Sequence, residues 1–208
     1  MPLLDYIEAA ALLNKYGIRS IDSSYVESAE DAVRFAGGRR IVLKLISNKA
    51  LHKSKAGLVK LDLGSEDEIR KAFDALSKKG ETLKPYKIIA QEMAKQGVEI
   101  IIGSNVDKQF GKMLLLGLGG IYVETFKDFS LRVCPISSYD AESMIDQLKS
   151  KDIVTYSGKA KGMLKRLLLS MSRFVEDNDF DEIDLNPVII REDGYDLVDI
   201  RILKGEKV

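Results

Sequence analysis

The segment Asp181–Leu203 constrains the fold more than any other stretch. Two apolar runs flank Asp193-Gly194, a dipeptide that commonly turns a β-hairpin. With Asp193 and Gly194 as the turn residues, Asn186 stands opposite Arg201 and Asp199 opposite Val188. Asn186 and Asp199 are then diagonal neighbours on one face, with Cα atoms roughly 7–8 Å apart, and Asp184 shares that face. Ile183, Leu185, Ile189, Val198, Ile200 and Ile202 fall on the other. Carboxylate and amide oxygens gathered in this way suit a hard cation such as Mg²⁺, which takes few protein ligands and fills its sphere with phosphate and water. An ordinary half-buried hairpin with solvated polar residues fits the same pattern. Pro187 limits pairing where the donors collect.

The rest of the chain alternates helices and strands. Apolar spacing predicts helices over 4–15, from Ser28 to Gly37-Gly38, over 65–79, 140–149 and 158–176. Strands are expected at 41–46, 58–63, 86–93, 98–106 and 113–118. This order is α+β rather than a regular βαβ series.

Lys plus Arg and Asp plus Glu each total 32, so the formal charge is zero, which argues against binding nucleic acid or a membrane surface through a basic excess. One cysteine, Cys134, cannot form an internal disulfide, and with a single histidine it cannot build a zinc site. The start, Met1-Pro2-Leu3-Leu4-Asp5-Tyr6, has no basic region ahead of a long apolar stretch, so no signal peptide is expected. No apolar run reaches the roughly 20 residues of a membrane span. These features predict a cytoplasmic protein.

Lys44 sits in the middle of the apolar strand 41–46, where a charge is costly unless an anion compensates it. A phosphate would do so; a lysine snorkelling from an edge strand is the other reading. The loop Asn48–Gly57 carries Lys49, Lys53, Lys55, Ser54 and His52, and either wraps phosphates or is simply a solvated charged loop. It is not a P-loop, because the spacing G-x-x-x-x-G-K-[ST] is absent. His52 has the chemistry of a phosphoryl acceptor, although a lone loop histidine is commonly just exposed. Gly117-Leu118-Gly119-Gly120 permits close backbone approach or a tight turn. Gln91-Glu92-Met93 at a strand end, with Glu99 shortly after, has groups for an adenine and a ribose.

In order, these segments resemble the ATP-grasp β subunit of the ADP-forming acetyl-CoA (acyl-CoA) synthetases, and more distantly the β subunit of succinyl-CoA synthetase. The resemblance is carried by Leu12–Ile18, Val42–Ser47, His52-Lys53-Ser54, Gln91–Met93, Gly97-Val98-Glu99, Gly117–Gly120, Val123-Glu124, Lys127-Asp128, Arg132, Pro135 and Glu182–Pro187. It implies an ATP-grasp fold across 1–208: a helix at 1–17 and two α/β lobes, roughly 18–92 and 93–208, with a nucleotide cleft between them. It implies ATP or ADP with Mg²⁺ as ligands. Lys44, with Lys53 and Ser54 of the loop, would hold phosphates. Gln91, Glu92 and Met93 would contact adenine, Glu99 the ribose, and Asn186 and Asp199 the metal. His52 would relay a phosphoryl group and Asp184 would steer the phosphohistidine. A separate CoA-binding α subunit, in a heterotetramer, would supply the acyl phosphate. The chain departs from the family where the loop His-Lys-Ser-Asp-x-Gly-Gly-Val has Lys55 and Leu58, and where Gly-x-Arg-Gly has Ser157. Those departures leave open a nucleotide-binding regulatory subunit without phosphoryl transfer; a stand-alone carboxylate ligase is the third reading, against which the retained His52-Lys53-Ser54 argues.

Overall fold

The computed structural model describes residues 3–47, 49, 57–119 and 128–204. They form two compact units, Ile21–Ala94 and a larger one made of Met1–Ser20 with Lys95–Val208.

In the smaller unit, β1 (Ser23–Val26), β2 (Ile41–Ile46), β3 (Val59–Leu63) and β4 (Lys87–Glu92) form an antiparallel sheet in the order β1-β4-β2-β3. Helices α2 (Ala29–Ala36) and α3 (Glu66–Gly80) pack on it. Both begin with a capping box: Ser28 with Asp31, and Ser65 with Glu68. Each box satisfies orphan N–H groups at the helix start. Gly37 closes α2 in the left-handed region at φ 51°, where a side chain would be strained. Ile41, Leu43 and Leu45 of β2 meet Ile69, Ala72 and Leu76 of α3 in one apolar core.

The larger unit holds α1 (Tyr6–Asn14), β5 (Val98–Asp107), β6 (Gly111–Leu118), β7 (Phe129–Val133), α4 (Ser138–Asp146), the short α5 (Lys151–Val154), α6 (Gly158–Asp177), β8 (Phe180–Ile190), β9 (Tyr195–Leu197) and β10 (Ile200–Lys204). Its sheet runs β10-β8-β5-β6-β7, with β9 also paired to β8, and its strand pairs are antiparallel. Helix α1 packs on β10, α4 on β7, and α6 on β6 and β8. The residues that alternate toward the helices, Ile100, Ile102, Leu114, Leu116, Ile183 and Leu185, are buried. At roughly 1.5–3 kcal/mol each, this layer is the main source of the unit's cohesion. The opposite sheet face carries Glu99, Asp184 and their neighbours.

The architecture is α+β, as the sequence predicts. No helix among the described residues is long and apolar enough to cross a membrane.

Candidate functional site

In the smaller unit, β2 pairs on both sides, Lys44 lying opposite Ile89 of β4 and Val59 of β3. Lys44 is therefore interior, not a snorkelling edge residue, and only 6% exposed. Leu43 and Leu45 face the helices. Lys44, Val42, Ile89 and Gln91 share the other face, and all four are buried. The Gln91 side-chain amide donates to Ser23 Oγ at 3.0 Å, so this residue ties β4 to β1. The Glu92 carboxylate lies 3.5 Å from Arg39, which also reaches Asp22. The N–H of Glu92 donates to the Asp22 carbonyl and that of Met93 to the Arg40 carbonyl, each at 3.0 Å. Those two N–H groups are committed to backbone carbonyls.

His52, Lys53 and Ser54 of the loop that follows β2 lie outside the described residues, as does Lys55. Its flanks are anchored: Ser47 Oγ donates to the Leu83 carbonyl at 2.5 Å, and the Lys79 ammonium donates to the Gly57 carbonyl at 3.1 Å.

In the larger unit, the terminal hairpin differs in register from the expected one. Ile190 pairs with Tyr195, Val188 with Leu197, Leu185 with Ile200 and Asp184 with Arg201. The tip therefore falls on Glu192–Asp193, one residue earlier than Asp193–Gly194. Neither Asp193 nor Gly194 has the positive φ that a type I′ turn requires. Instead Arg191 braces the loop, its guanidinium lying 3.0 Å from Asp193 and 2.5 Å from Asp196. Hydrogen bonding to Asp196 is the main force raising the already high Arg191 pKa, and Arg191 in turn lowers that of Asp193.

This shift has a direct consequence. Asn186 faces Asp199, not Arg201, and its N–H donates to the Asp199 carbonyl at 3.2 Å. Paired Cα atoms lie roughly 4.5–5.5 Å apart, closer than the expected diagonal.

The pairing of β8 with β5 also slips by one residue between Ile100↔Val188 and Ile102↔Leu185, so Asn186 and Pro187 together oppose Ile101. That is a β-bulge, and it inverts the alternation beyond it. Ile183, Leu185, Ile200 and Ile202 are buried as expected. Past the bulge, Val188, Ile190 and Leu197 take the core positions, while Ile189 and Val198 are only half-buried. Across the hairpin, Val198 N–H donates to the Pro187 carbonyl at 3.1 Å, and Tyr6 Oη of α1 donates to the Val198 carbonyl at 3.3 Å. The chain's first helix thus supports the part of the hairpin that carries Asn186 and Asp199.

Glu99 is exposed at the start of β5, beside Ile189 of β8. Two glycines shape its backbone. A Cβ on Gly97 would stand 2.4 Å from the Ile190 carbonyl oxygen, and one on Gly119 would stand 2.9 Å from the Glu99 carbonyl carbon. Both glycines serve close strand-to-strand approach.

Sequence reading passed over the role of Asp128, which is 8% exposed and accepts from the N–H of Lys149 at 2.7 Å and of Ser150 at 2.8 Å. Burial pushes its pKa up, but hydrogen bonding from Ser150 and Lys149 and the Lys149 charge together bring it below the ordinary carboxylate value. It also passed over Arg201, whose buried Nε has no hydrogen-bond acceptor among the described residues. Lys127-Asp128 carries part of the resemblance with no role attached to Asp128, and Arg201 lies in no motif named in the sequence. A cleft of about 740 Å³ in this unit, between α6 and the hairpin loop, gathers none of the predicted residues.

The donor set on the bulge is an amide and a carboxylate, with a second carboxylate, Asp184, and a guanidinium nearby. Hard oxygen donors fit Mg²⁺, and an orphaned guanidinium N–H fits a phosphate oxygen. Asn186 and Asp199 would hold the metal. Among the described residues no cluster of three or more His, Cys, Asp and Glu is placed to hold a metal ion by itself.

Comparison with known proteins places this geometry. Residues 2–203 match the model of the ATP-grasp domain. The chain is 34% identical over 94% of its length to the β subunit of acetate–CoA ligase [ADP-forming] I of Pyrococcus furiosus, 89% of which it covers. It is 36% identical to acetate–CoA ligase [ADP-forming] II of Archaeoglobus fulgidus over its whole length, but spans only 31% of that protein. Among solved structures, the dinucleotide-forming acetyl-coenzyme A synthetase 1 of Ca. Korarchaeum cryptofilum, in complex with coenzyme A, Ca-AMPCP and HgCl⁺, superposes with a TM-score of 0.90 at 38% identity, covering 98% of this chain and 93% of that one. A second structure of that enzyme holds coenzyme A and Mg-AMPPCP, with a phosphohistidine segment pointing towards the nucleotide binding site (TM-score 0.83, 38% identity, 98% and 93% covered). The chain belongs to the ATP-grasp family, in the group that includes the β subunits of the ADP-forming acetate–CoA ligases.

Proposed function

We propose that this chain is the nucleotide-binding subunit of an ADP-forming acyl-CoA ligase, which converts acyl-CoA, ADP and phosphate into carboxylate, CoA and ATP. The observation that carries the reading is the hairpin register that sets Asn186 against Asp199, with Asp184 two residues away on the same sheet face. These are the groups a Mg²⁺-phosphate complex needs.

A CoA-binding α subunit, in an α₂β₂ assembly in the cytoplasm, would form the acyl phosphate and pass its phosphoryl group to a histidine. The bond from phosphorus to imidazole nitrogen then breaks as a bond to an ADP oxygen forms. The electron pair returns to the nitrogen and nothing is oxidised or reduced. Asn186 and Asp199 hold Mg²⁺, which supplies neutralisation of the charge on the phosphates. Lys44 supplies a further cation from a strand interior, where its position is fixed by burial. The carbonyls of Glu92 and Met93 receive the base and Glu99 the ribose. Gln91 acts from the core by fixing β4. His52, with Lys53 and Ser54, receives the phosphoryl group, and Asp184 orients it. Catalysis of this kind is mostly positioning and charge stabilisation.

The test is to mix the chain with its candidate α subunit, acetyl-CoA or other acyl-CoAs, phosphate, Mg²⁺ and ADP, and to measure ATP. Formation of ATP that survives His52→Ala sinks the relay role; formation that survives Asp199→Ala sinks the metal assignment. Lys55, Leu58 and Ser157 support a second reading, a regulatory subunit that binds nucleotide without transfer. Tight ADP binding with no ATP from any acyl-CoA would favour it.

A further inference from the structure

The sheet face that carries Asp184, Asn186 and Asp199 holds one more charged group. Arg201 of β10 lies two residues beyond Asp199 and directly opposite Asp184 on β8. Its side chain is half-buried, and its Nε is fully buried with no acceptor among the described residues. A buried guanidinium N–H without an acceptor is unfavourable, and native structures tolerate it mainly where a ligand or ion completes it. Nε and one terminal nitrogen form the edge with which arginine grips a phosphate or carboxylate in bidentate fashion.

The neighbouring strand adds an independent observation. On its far side Asp184 pairs with Gly103 of β5, which in turn pairs with Leu115 of β6. Backbone packing does not demand a glycine there. Its φ lies outside the left-handed region, and an added Cβ would meet nothing nearer than 3.4 Å. The row Arg201–Asp184–Gly103–Leu115 therefore carries no side chain at Gly103, next to Asp184 and one strand from an unsatisfied cationic donor.

Asp184 and Asp199 offset the charge of Arg201 only in part once Mg²⁺ is bound, so the site as a whole favours a further anion. We propose that Arg201 is that site's phosphoryl-binding residue, gripping the terminal phosphoryl group of ATP, the one exchanged with the histidine, while Gly103 leaves room for it. The inference rests on the nucleotide reading above and deepens it. A guanidinium and a metal gripping one phosphoryl group from different directions is a recurrent way to stabilise the charge of its transfer.

The test uses the full chain and calorimetric titration with Mg-ADP and Mg-AMPPCP. Arg201→Ala should weaken Mg-AMPPCP binding by about 10- to 100-fold, the range for a lost charged hydrogen-bonding pair, and Mg-ADP binding much less. Arg201→Lys should recover only part of the loss, since it keeps the charge but not the fork. Gly103→Leu should imitate Arg201→Ala by filling the gap. Thermal midpoints should stay level or rise, because an unsatisfied buried donor has been removed. Equal weakening of both nucleotides, or a fall in the midpoint that accounts for the loss, would make Arg201 structural and overturn the proposal. Wild-type affinity for Mg-AMPPCP in Arg201→Ala would overturn it while leaving the nucleotide reading intact. If the wild-type chain binds neither nucleotide, both fall.

Discussion

The two sheets place their chemistry in opposite ways. In the smaller unit the candidate groups are inside: Lys44 is 6% exposed and Gln91 1%, both on interior strands. In the larger unit they lie on a bulged hairpin near the end of the sheet, with Asn186 exposed and Asp184, Asp199 and Arg201 half-buried. A buried polar group is fixed in place by its surroundings, and its removal is felt by the whole sheet. A group on a bulge is held by backbone geometry, so its side chain is available for ligands with little structural penalty. The difference teaches that substitutions in the two places should separate function from stability to different degrees.

The largest effect is expected at Asp199. Replacing it with alanine should cut ATP formation by about 10²–10³, the range for loss of one preorganised charge-stabilising group, while the thermal midpoint moves by no more than a few degrees. A coupled ATP assay and a melting curve on the same preparation check both halves. A collapse in stability would break the comparison, because the hairpin face would then be as structural as the interior strand.

Lys44 should behave differently. Lys44→Ala should weaken Mg-ADP binding by about tenfold or more through loss of a charged contact. It should also cost roughly 2–3 kcal/mol of stability, because the buried four-carbon stem leaves a cavity. Denaturant titration beside calorimetry reads the two losses separately. If affinity falls and stability does not, burial is not coupling them.

These two sites were not equally legible in the sequence. Lys44 was visible because an apolar six-residue run leaves no doubt about the strand, and the observed β2 matches it residue for residue. The convergence of Asn186 and Asp199 was visible from strand parity, which a register error of two residues leaves unchanged. The turn itself was misplaced, since Asp193-Gly194 signals a tight hairpin only when both residues adopt positive φ, and the ion pairs of Arg191 favour another path. The bulge at Asn186-Pro187 was not legible, so Ile189 and Val198 were assigned to the core in place of Val188, Ile190 and Leu197. Strand β1 was missed because four residues, Ser23-Ser24-Tyr25-Val26, carry too little periodicity to show. Helix α4 starts before the expected Asp140 because Ser137 and Asp140 form its capping box. Arg201 and Asp128 matter through partners that only the fold supplies.

A smaller effect tests how far the hairpin depends on backbone contact. A Cβ on Gly97 would lie 2.4 Å from the Ile190 carbonyl oxygen and 2.8 Å from an Ile189 methyl. Gly97→Ala should therefore force β5 away from β8 and cost about 1–3 kcal/mol, as overpacking does. Because Glu99 lies opposite Ile189, the same change should displace it and weaken nucleotide binding in step with stability. A Gly97→Ala chain that melts normally would show that the strands yield locally, and the site's precision would then rest on side chains instead.

Asp128 sharpens the comparison from within the larger unit, because it is a buried polar residue away from the hairpin. It holds the N–H groups of Lys149 and Ser150 and connects the start of β7 to the segment between α4 and α5. If burial, rather than the unit a residue belongs to, decides the outcome, then Asp128→Asn should lower stability by about 1 kcal/mol and leave the affinity for Mg-ADP unchanged. The pH dependence follows from the lowered pKa of Asp128 in the folded chain. A carboxyl whose folded pKa is depressed stabilises fully above its unfolded value, about 3.9, and loses that contribution as pH falls through the folded value. The difference between wild type and Asp128→Asn should therefore be constant from pH 8 down to about pH 5 and shrink below about pH 4. Denaturant midpoints measured across that range decide it. A difference that persists undiminished into strong acid would mean that the bonds to Lys149 and Ser150 act through shape alone, and that the charge on Asp128 contributes nothing to holding them.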